Sequence, residues 1–223
     1  RRKTNGEASM KKIGLLGGMS WESTQDYYRM INEGVRERLG GLHSGEIILY
    51  SVDFEPIEQM QHAGDWEGTA KSLCEAAWSI EAAGADFLVM CTNTMHKVAP
   101  ELEEALGIPL LHIAEATGQV LVHQGITTVG LLGTAFTMEE DFYRGRLHEE
   151  FGLQVLVPET ADRRKIHSVI YDELCLGTTR DDSKQEYLRI IDELAGRGAE
   201  GVILGCTEIG LLLKPEDTDL PLF

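Results

Sequence analysis

Long apolar runs, basic clusters, closely spaced cysteines and low-complexity tracts are all missing from this chain of 223 residues. Apolar stretches such as Gly201–Leu204 and Ile47–Tyr50 fall far short of the roughly 20 residues that span a bilayer, which excludes a helical membrane protein. Only 20 Lys and Arg stand against 37 Asp and Glu, a net charge of −17. No arginine-rich stripe or aromatic–basic interleaving is present, so the positive footprint that nucleic-acid binding needs is absent. Such acidity favours solubility rather than any named partner. The four cysteines, Cys74, Cys91, Cys175 and Cys206, are too few and too scattered for a disulfide-stapled secreted fold, and neither they nor the seven histidines show metal-ligand spacing. No metal is expected. No signal peptide is seen, and a reducing, cytoplasmic compartment is expected. Arg1–Ser9 is polar and is read as an expression remnant or a disordered extension.

What the chain does contain is alternation. Short apolar runs fit strands at Lys12–Leu16, Glu46–Val52, Asp86–Cys91, Thr128–Leu132, Gln154–Val157 and Gly201–Gly205. Longer amphipathic stretches fit helices at Glu22–Leu39, Asp65–Ala83, Val98–Leu106, Ala114–His123, Met138–Phe151, Asp162–Leu174 and Asp181–Arg197. Ser20 and Asp65 stand as helix caps, and Thr137 with Glu140 has capping-box spacing. Strand–helix alternation argues for parallel sheet built of β–α–β units.

A repeat sharpens this reading. Ile13-Gly14-Leu15-Leu16-Gly17-Gly18 returns 116 positions later as Val129-Gly130-Leu131-Leu132-Gly133-Thr134. Gly84-Ala85-Asp86-Phe87-Leu88-Val89-Met90-Cys91-Thr92 returns 114 positions later as Gly198-Ala199-Glu200-Gly201-Val202-Ile203-Leu204-Gly205-Cys206. The period is far too long for a solenoid, and two similar α/β halves, residues 10–113 and 114–223, are expected. Ile108–His112 leads into a helix, and Leu220–Phe223 looks alike, so a further helix packing on the first half is expected beyond Phe223.

Parallel α/β sheets bind ligands beyond the carboxyl ends of their strands. The repeat brings four such loops into play: Gly17-Gly18-Met19-Ser20, Cys91-Thr92-Asn93-Thr94, Gly133-Thr134-Ala135 and Cys206-Thr207-Glu208. Backbone N–H groups and helix N-termini there suit a carboxylate. The glycine turn lacks the spacing of a dinucleotide fingerprint, and no phosphate-binding Gly-Lys-Ser/Thr loop exists. A cysteine at a strand end before a helix is expected to have its pKa pulled below the free value of about 8.5. Cys206 is singled out on that ground, while Cys74 and Cys175 read as buried filler and Trp21 and Trp78 as core.

Gly205-Cys206-Thr207-Glu208 and Thr92-Asn93-Thr94 resemble the two signatures of the aspartate/glutamate racemase superfamily, and Lys12–Thr24 resembles its opening. The likeness is nearest to the racemases that act on L-aspartate and L-glutamate. It implies two Rossmann-like halves with the active site in the cleft between them. It also implies no cofactor, an acidic amino acid as substrate and a homodimer. Related cofactor-free isomerases of the maleate or hydantoin type, and a non-catalytic binding module for acidic amino acids, are the alternatives. The family places a cysteine directly before Asn-Thr, where this chain has Thr92 with Cys91 one residue earlier. The 114-residue offset aligns Thr92 with Cys206 and Cys91 with Gly205. A one-residue shift in a strand reverses the face of a side chain, so Thr92 is expected to face the substrate and Cys91 the packing.

The resemblance therefore implies proton transfer at an α-carbon by Cys206 on one face and Thr92 on the other. Asn93, Thr94, Thr134 and Thr207 would bind the substrate carboxylate by hydrogen bonds, the main electrostatic resource without a cofactor. Lys165 is the candidate for the side-chain carboxylate, ahead of Arg144 and Arg146, which read as surface charges. Met19, Ser20 and Asp53 are expected to line the site, Glu208 to hold the thiol or cap the next turn, and His96 to support from behind.

Overall fold

The computed structural model describes residues 10–223, so the reading of Arg1–Ser9 falls outside the described residues. The described chain separates into two compact units, one of residues 10–91 with 98–111, the other of 92–97 with 112–223. Each unit is a parallel sheet between helices, as the alternation of strands and helices requires.

The first unit contains β1 (Ile13–Gly17), α1 (Trp21–Leu39), β2 (Ile47–Ser51), α2 (Phe54–Ala63), α3 (Trp66–Ala82), β3 (Phe87–Met90), α4 (Ala99–Ala105) and β4 (Leu110–Leu111). Its sheet order is β2-β1-β3-β4, all parallel. Leu15, Leu16, Leu73, Ala77, Leu88 and Leu102 are fully buried and form its core. Gly14 and Gly17 keep this packing close: a Cβ on Gly14 would meet Ile80 and one on Gly17 would meet Thr24.

The second unit contains α5 (Ile113–His123), β5 (Thr128–Gly133), α6 (Ala135–Glu139), α7 (Asp141–Phe151), β6 (Gln154–Leu156), α8 (Thr160–Asp172), α9 (Asp181–Gly196), β7 (Val202–Gly205) and α10 (Ile209–Leu212). The sheet order is β6-β5-β7, parallel, with Leu222 adding a bridge to Val202. One face of β5 packs on α8 and α9 through Leu132, Ile166, Ile170, Tyr187 and Ile191. The other packs on α5 and α7 through Leu131, Leu121, Tyr143 and Leu147. Buried Tyr187 places its hydroxyl on the Ile166 carbonyl at 3.1 Å, so its polar atom is satisfied within the core.

Several local expectations need correction. Ser20 and Asp65 do cap their helices, accepting from Ser23 N–H and Gly68 N–H. Thr137 does not open a helix: Thr134 is the cap, and Thr137 lies inside α6. The single helix expected over Met138–Phe151 is broken at Glu140, whose extended backbone (φ −92°, ψ 158°) separates α6 from α7. α2 and β4 were not anticipated. Trp21 and Trp78 are not core but about half exposed or more, at 62% and 49%, and Cys175 is exposed rather than buried. No helix among the described residues is long and apolar enough to cross a membrane.

Candidate active site

In the first unit the strand ends present Gly17–Ser20, Asp53 and Cys91. Gly18 has φ +96° and lies so close to the Val52 backbone that no side chain fits. Its N–H donates to Thr24 Oγ1 at 2.8 Å, and Val52 N–H donates to Gly17 O at 3.0 Å. The turn between β1 and α1 is thereby fixed against the end of β2. Met19 is buried, and Ser20 is occupied as the cap of α1. Asp53 is exposed and caps α2 through Glu55 N–H, a local duty that needs no ligand. Cys91 is fully buried, and burial pushes its thiol up to about 12, so it stays protonated and inert at neutral pH.

In the second unit, three strand-end segments converge. Gly133 and Gly205 are register partners on β5 and β7, which sets Thr134 and Cys206 side by side just past the sheet. Thr134 Oγ1 lies 3.3 Å from both Thr94 Oγ1 and Thr137 Oγ1, so three hydroxyls form a chain. Thr94 and Asn93 are buried, and Thr92, two residues earlier, is half-buried. His96 anchors this segment. Its Nδ1 donates to Thr92 O at 2.7 Å and its Nε2 accepts from Ile113 N–H at 3.2 Å, a neutral tautomer. Burial lowers the His96 pKa to about 4, so the tie persists at neutral pH. Lys97 adds an ion pair to Glu140 at 2.7 Å. The edge-on neighbour His112 is also held neutral by burial, with a pKa lowered to about 2.

Cys206 is partly buried, and its Sγ donates to Glu208 Oε2 at 2.9 Å; Thr207 Oγ1 donates to the same oxygen at 2.8 Å. The thiol pKa lies well above the ordinary value, first through burial and second through the Glu208 charge. The expectation of a lowered pKa is thus wrong. α10 has only four residues and begins at Ile209, so its dipole is short, while the nearest full charge is negative. Glu208 is the proton partner of the thiol, and Cys206 rests as S–H. A testable consequence follows for the thiol. Glu208→Gln removes the negative charge, so alkylation of Cys206 by iodoacetamide, followed on its own peptide, should begin at lower pH than in the parent chain.

Three basic candidates remain, Lys165, Arg144 and Arg146. Lys165 is exposed on α8. Arg146 is committed to Glu115 at 2.7 Å and Glu150 at 2.9 Å, and Arg144 to Asp141 at 3.3 Å; both are half-buried rather than the surface charges expected, and Arg144 Nε is buried without a hydrogen-bond partner. One participant was not anticipated: His167 on α8 accepts from Ala135 N–H through Nδ1 at 3.1 Å. Nothing in its sequence spacing points there, because the partner is a backbone group 32 residues away. No group of three or more His, Cys, Asp or Glu residues fit to hold a metal occurs among the described residues.

Known proteins resemble the chain over nearly its whole length. The family model described as Asp/Glu/Hydantoin racemase matches residues 16–223. The chain is 22% identical to the broad specificity amino-acid racemase RacX of Bacillus subtilis over 94% of its length and 91% of that protein's. A solved structure of a candidate Asp/Glu racemase from Yersinia pestis shares 55% identity, covering 96% of this chain and 93% of that one with a TM-score of 0.91. An aspartate racemase homologue from Pyrococcus horikoshii OT3 shares 37% identity over 96% and 93% of the two chains, with a TM-score of 0.82. With its two parallel sheets and its match from residue 16 to the last residue, this chain belongs to the Asp/Glu/hydantoin racemase family.

Proposed function

We propose that the chain interconverts the enantiomers of glutamate and aspartate without a cofactor, by proton transfer at the α-carbon with Cys206 on one face and Thr92 on the other. The observation that carries this reading is the cluster in the second unit: a thiol bonded to a carboxylate, beside a hydroxyl chain that leads back toward Thr92. When the substrate α-proton faces Cys206, the thiol proton passes to Glu208 as sulfur takes the α-proton. A hydroxyl is a poor base but an adequate donor at neutral pH, so Thr92 delivers a proton to the opposite face and recovers one from water. Asn93, Thr94, Thr134 and Thr207 bind the α-carboxylate. The 3.3 Å hydroxyl contacts are long, and a carboxylate oxygen is a stronger acceptor that takes them over on binding. Lys165 receives the side-chain carboxylate. The four free thiols suit a reducing cytoplasm.

The test is incubation of the purified chain with L-glutamate or L-aspartate, with no pyridoxal phosphate added, followed by chiral chromatography. The expected result is the D-enantiomer. Maleate isomerisation without racemisation would replace this reading with the related isomerase, and binding without α-proton exchange would replace it with a binding module.

The homodimer belongs to this proposal as well, with α1 and β2 as its interface. β2 is an edge strand, with Leu49 and Tyr50 exposed and with no proline or charge to discourage pairing. Tyr28 and Leu42 are exposed and line a groove of about 790 Å³, and Leu39 is exposed nearby in sequence. The charges lining that groove balance, with Arg29 paired to Asp26 and Glu33. On a chain of net charge −17, a locally neutral face with exposed Tyr28, Leu42, Leu49 and Tyr50 is where a second copy can approach. Tyr28→Glu should convert a species of twice the chain mass to a single chain in analytical ultracentrifugation. An unchanged mass would remove this face as the interface.

A further inference from the structure

We infer that His167 is a positioning residue: from α8 it fixes the Thr134–Ala135 peptide and, through it, the hydroxyl bridge between Thr134 and Thr94. The enzymatic consequence rests on the racemase reading, whereas the structural one does not. His167 follows buried Ile166 and precedes buried Val169 and Ile170, so it projects from a helix fastened to the core. Two contacts of its ring bear on this role. Nδ1 accepts from Ala135 N–H at 3.1 Å, and the ring packs on Tyr171 with centroids 4.8 Å apart at 51°. An imidazole nitrogen that accepts a hydrogen bond carries no proton, so the neutral ring keeps its proton on Nε2.

Ala135 N–H shares a rigid peptide plane with Thr134 C=O, so holding the one orients the other. Thr134 Oγ1 is occupied with Thr94, Thr137 and the Thr137 N–H, at 3.3, 3.3 and 3.4 Å. These contacts are longer than ordinary O–H···O bonds and fix geometry poorly on their own. α6 has only five residues and contributes little rigidity. The 3.1 Å bond from α8 is thus the tie that sets the loop, much as His96 sets the loop that carries Thr92. A supporting hydrogen bond of this kind holds a binding group in its productive orientation. It also takes Ala135 N–H away from the substrate, so this backbone donor serves geometry rather than binding.

Two substitutions separate the acceptor from the ring. Asparagine places its carbonyl oxygen on the same carbon that bears Nδ1 and keeps an acceptor there. Phenylalanine keeps a ring against Tyr171 and removes the acceptor. Amide hydrogen exchange at Ala135 and the steady-state constants for L-glutamate are measured on the full chain. His167→Phe should speed Ala135 exchange about tenfold, because the lost bond leaves that N–H without a partner. It should raise KM about tenfold with kcat changed less than about threefold, the pattern of lost binding orientation. His167→Asn should keep each of these within about threefold of the parent. Equal damage from both variants, or unchanged Ala135 protection in His167→Phe, would overturn the inference. A parent chain that shows no racemisation, while Ala135 exchange still separates the two variants, would sink the racemase reading and leave the structural tie standing. Should both variants fail to fold, imidazole nitrogen spectra of the parent decide: an unprotonated His167 Nδ1 supports the tie, and a protonated one overturns it.

Discussion

Cys206→Ala is expected to lower kcat/KM for glutamate racemisation about 10³-fold, within the range of a lost general acid–base group. The thiol pairs an exchangeable proton with a carboxylate poised to take it, Glu208 at 2.9 Å, and its pKa lies far closer to neutrality than that of the Thr207 hydroxyl bonded to the same oxygen. Its raised pKa keeps the proton on sulfur at rest. A free thiolate would be a ready base but would lack a proton to return in the reverse direction. A thiol that shares its proton with Glu208 serves as acid in one direction and base in the other. Binding of L-glutamate should survive the substitution, measured calorimetrically, because Thr94, Thr134 and Asn93 are untouched. Loss of binding together with activity would mean that Cys206 holds the substrate rather than moving its proton.

The second large effect belongs to the opposite face. Thr92→Ala should lower kcat/KM about 100-fold, whereas Thr92→Cys should raise it about tenfold, because a thiol lies nearer the optimal pKa than an aliphatic hydroxyl. The equilibrium constant of a racemase is one, so kcat/KM must change equally in both directions. Only kcat and KM separately can show the asymmetry between Cys206 and Thr92. Cys91 provides the control. It is fully buried with its thiol held protonated, so Cys91→Ser should alter stability and leave kcat/KM within about threefold. If Cys91→Ser abolishes turnover and Thr92→Ala does not, the two residues have been assigned to the wrong faces.

The repeat made the architecture legible. It paired β1 with β5 and β3 with β7, and register in each sheet puts their carboxyl ends together, as with Gly133 and Gly205. α2 is short, and it tolerates Pro56 because that residue lies in its first turn, where the missing N–H has no intrahelical partner to lose, behind the Asp53 cap. The α6–α7 junction is not legible in the sequence. Thr134 and Thr137 are both able to cap, and only the fold shows that Thr134 takes that position. Cys206 could be found from its strand end, but the direction of its pKa shift could not. Glu208 is two residues on, and whether its carboxylate turns toward the sulfur or toward solvent is settled by side-chain geometry, not by spacing. His167 lies further still from the sequence, since its role depends on a backbone donor in another element.

The central claim is that two different groups act on opposite faces of one carbon, and isotope transfer tests it most directly. L-Glutamate bearing ordinary hydrogen at Cα is incubated with the chain in deuterium oxide, and both enantiomers are recovered at low conversion. The account predicts D-glutamate that carries deuterium at Cα, with the remaining L-glutamate still protiated. Product that retains its original hydrogen, or no α-deuterium in either pool, would contradict it.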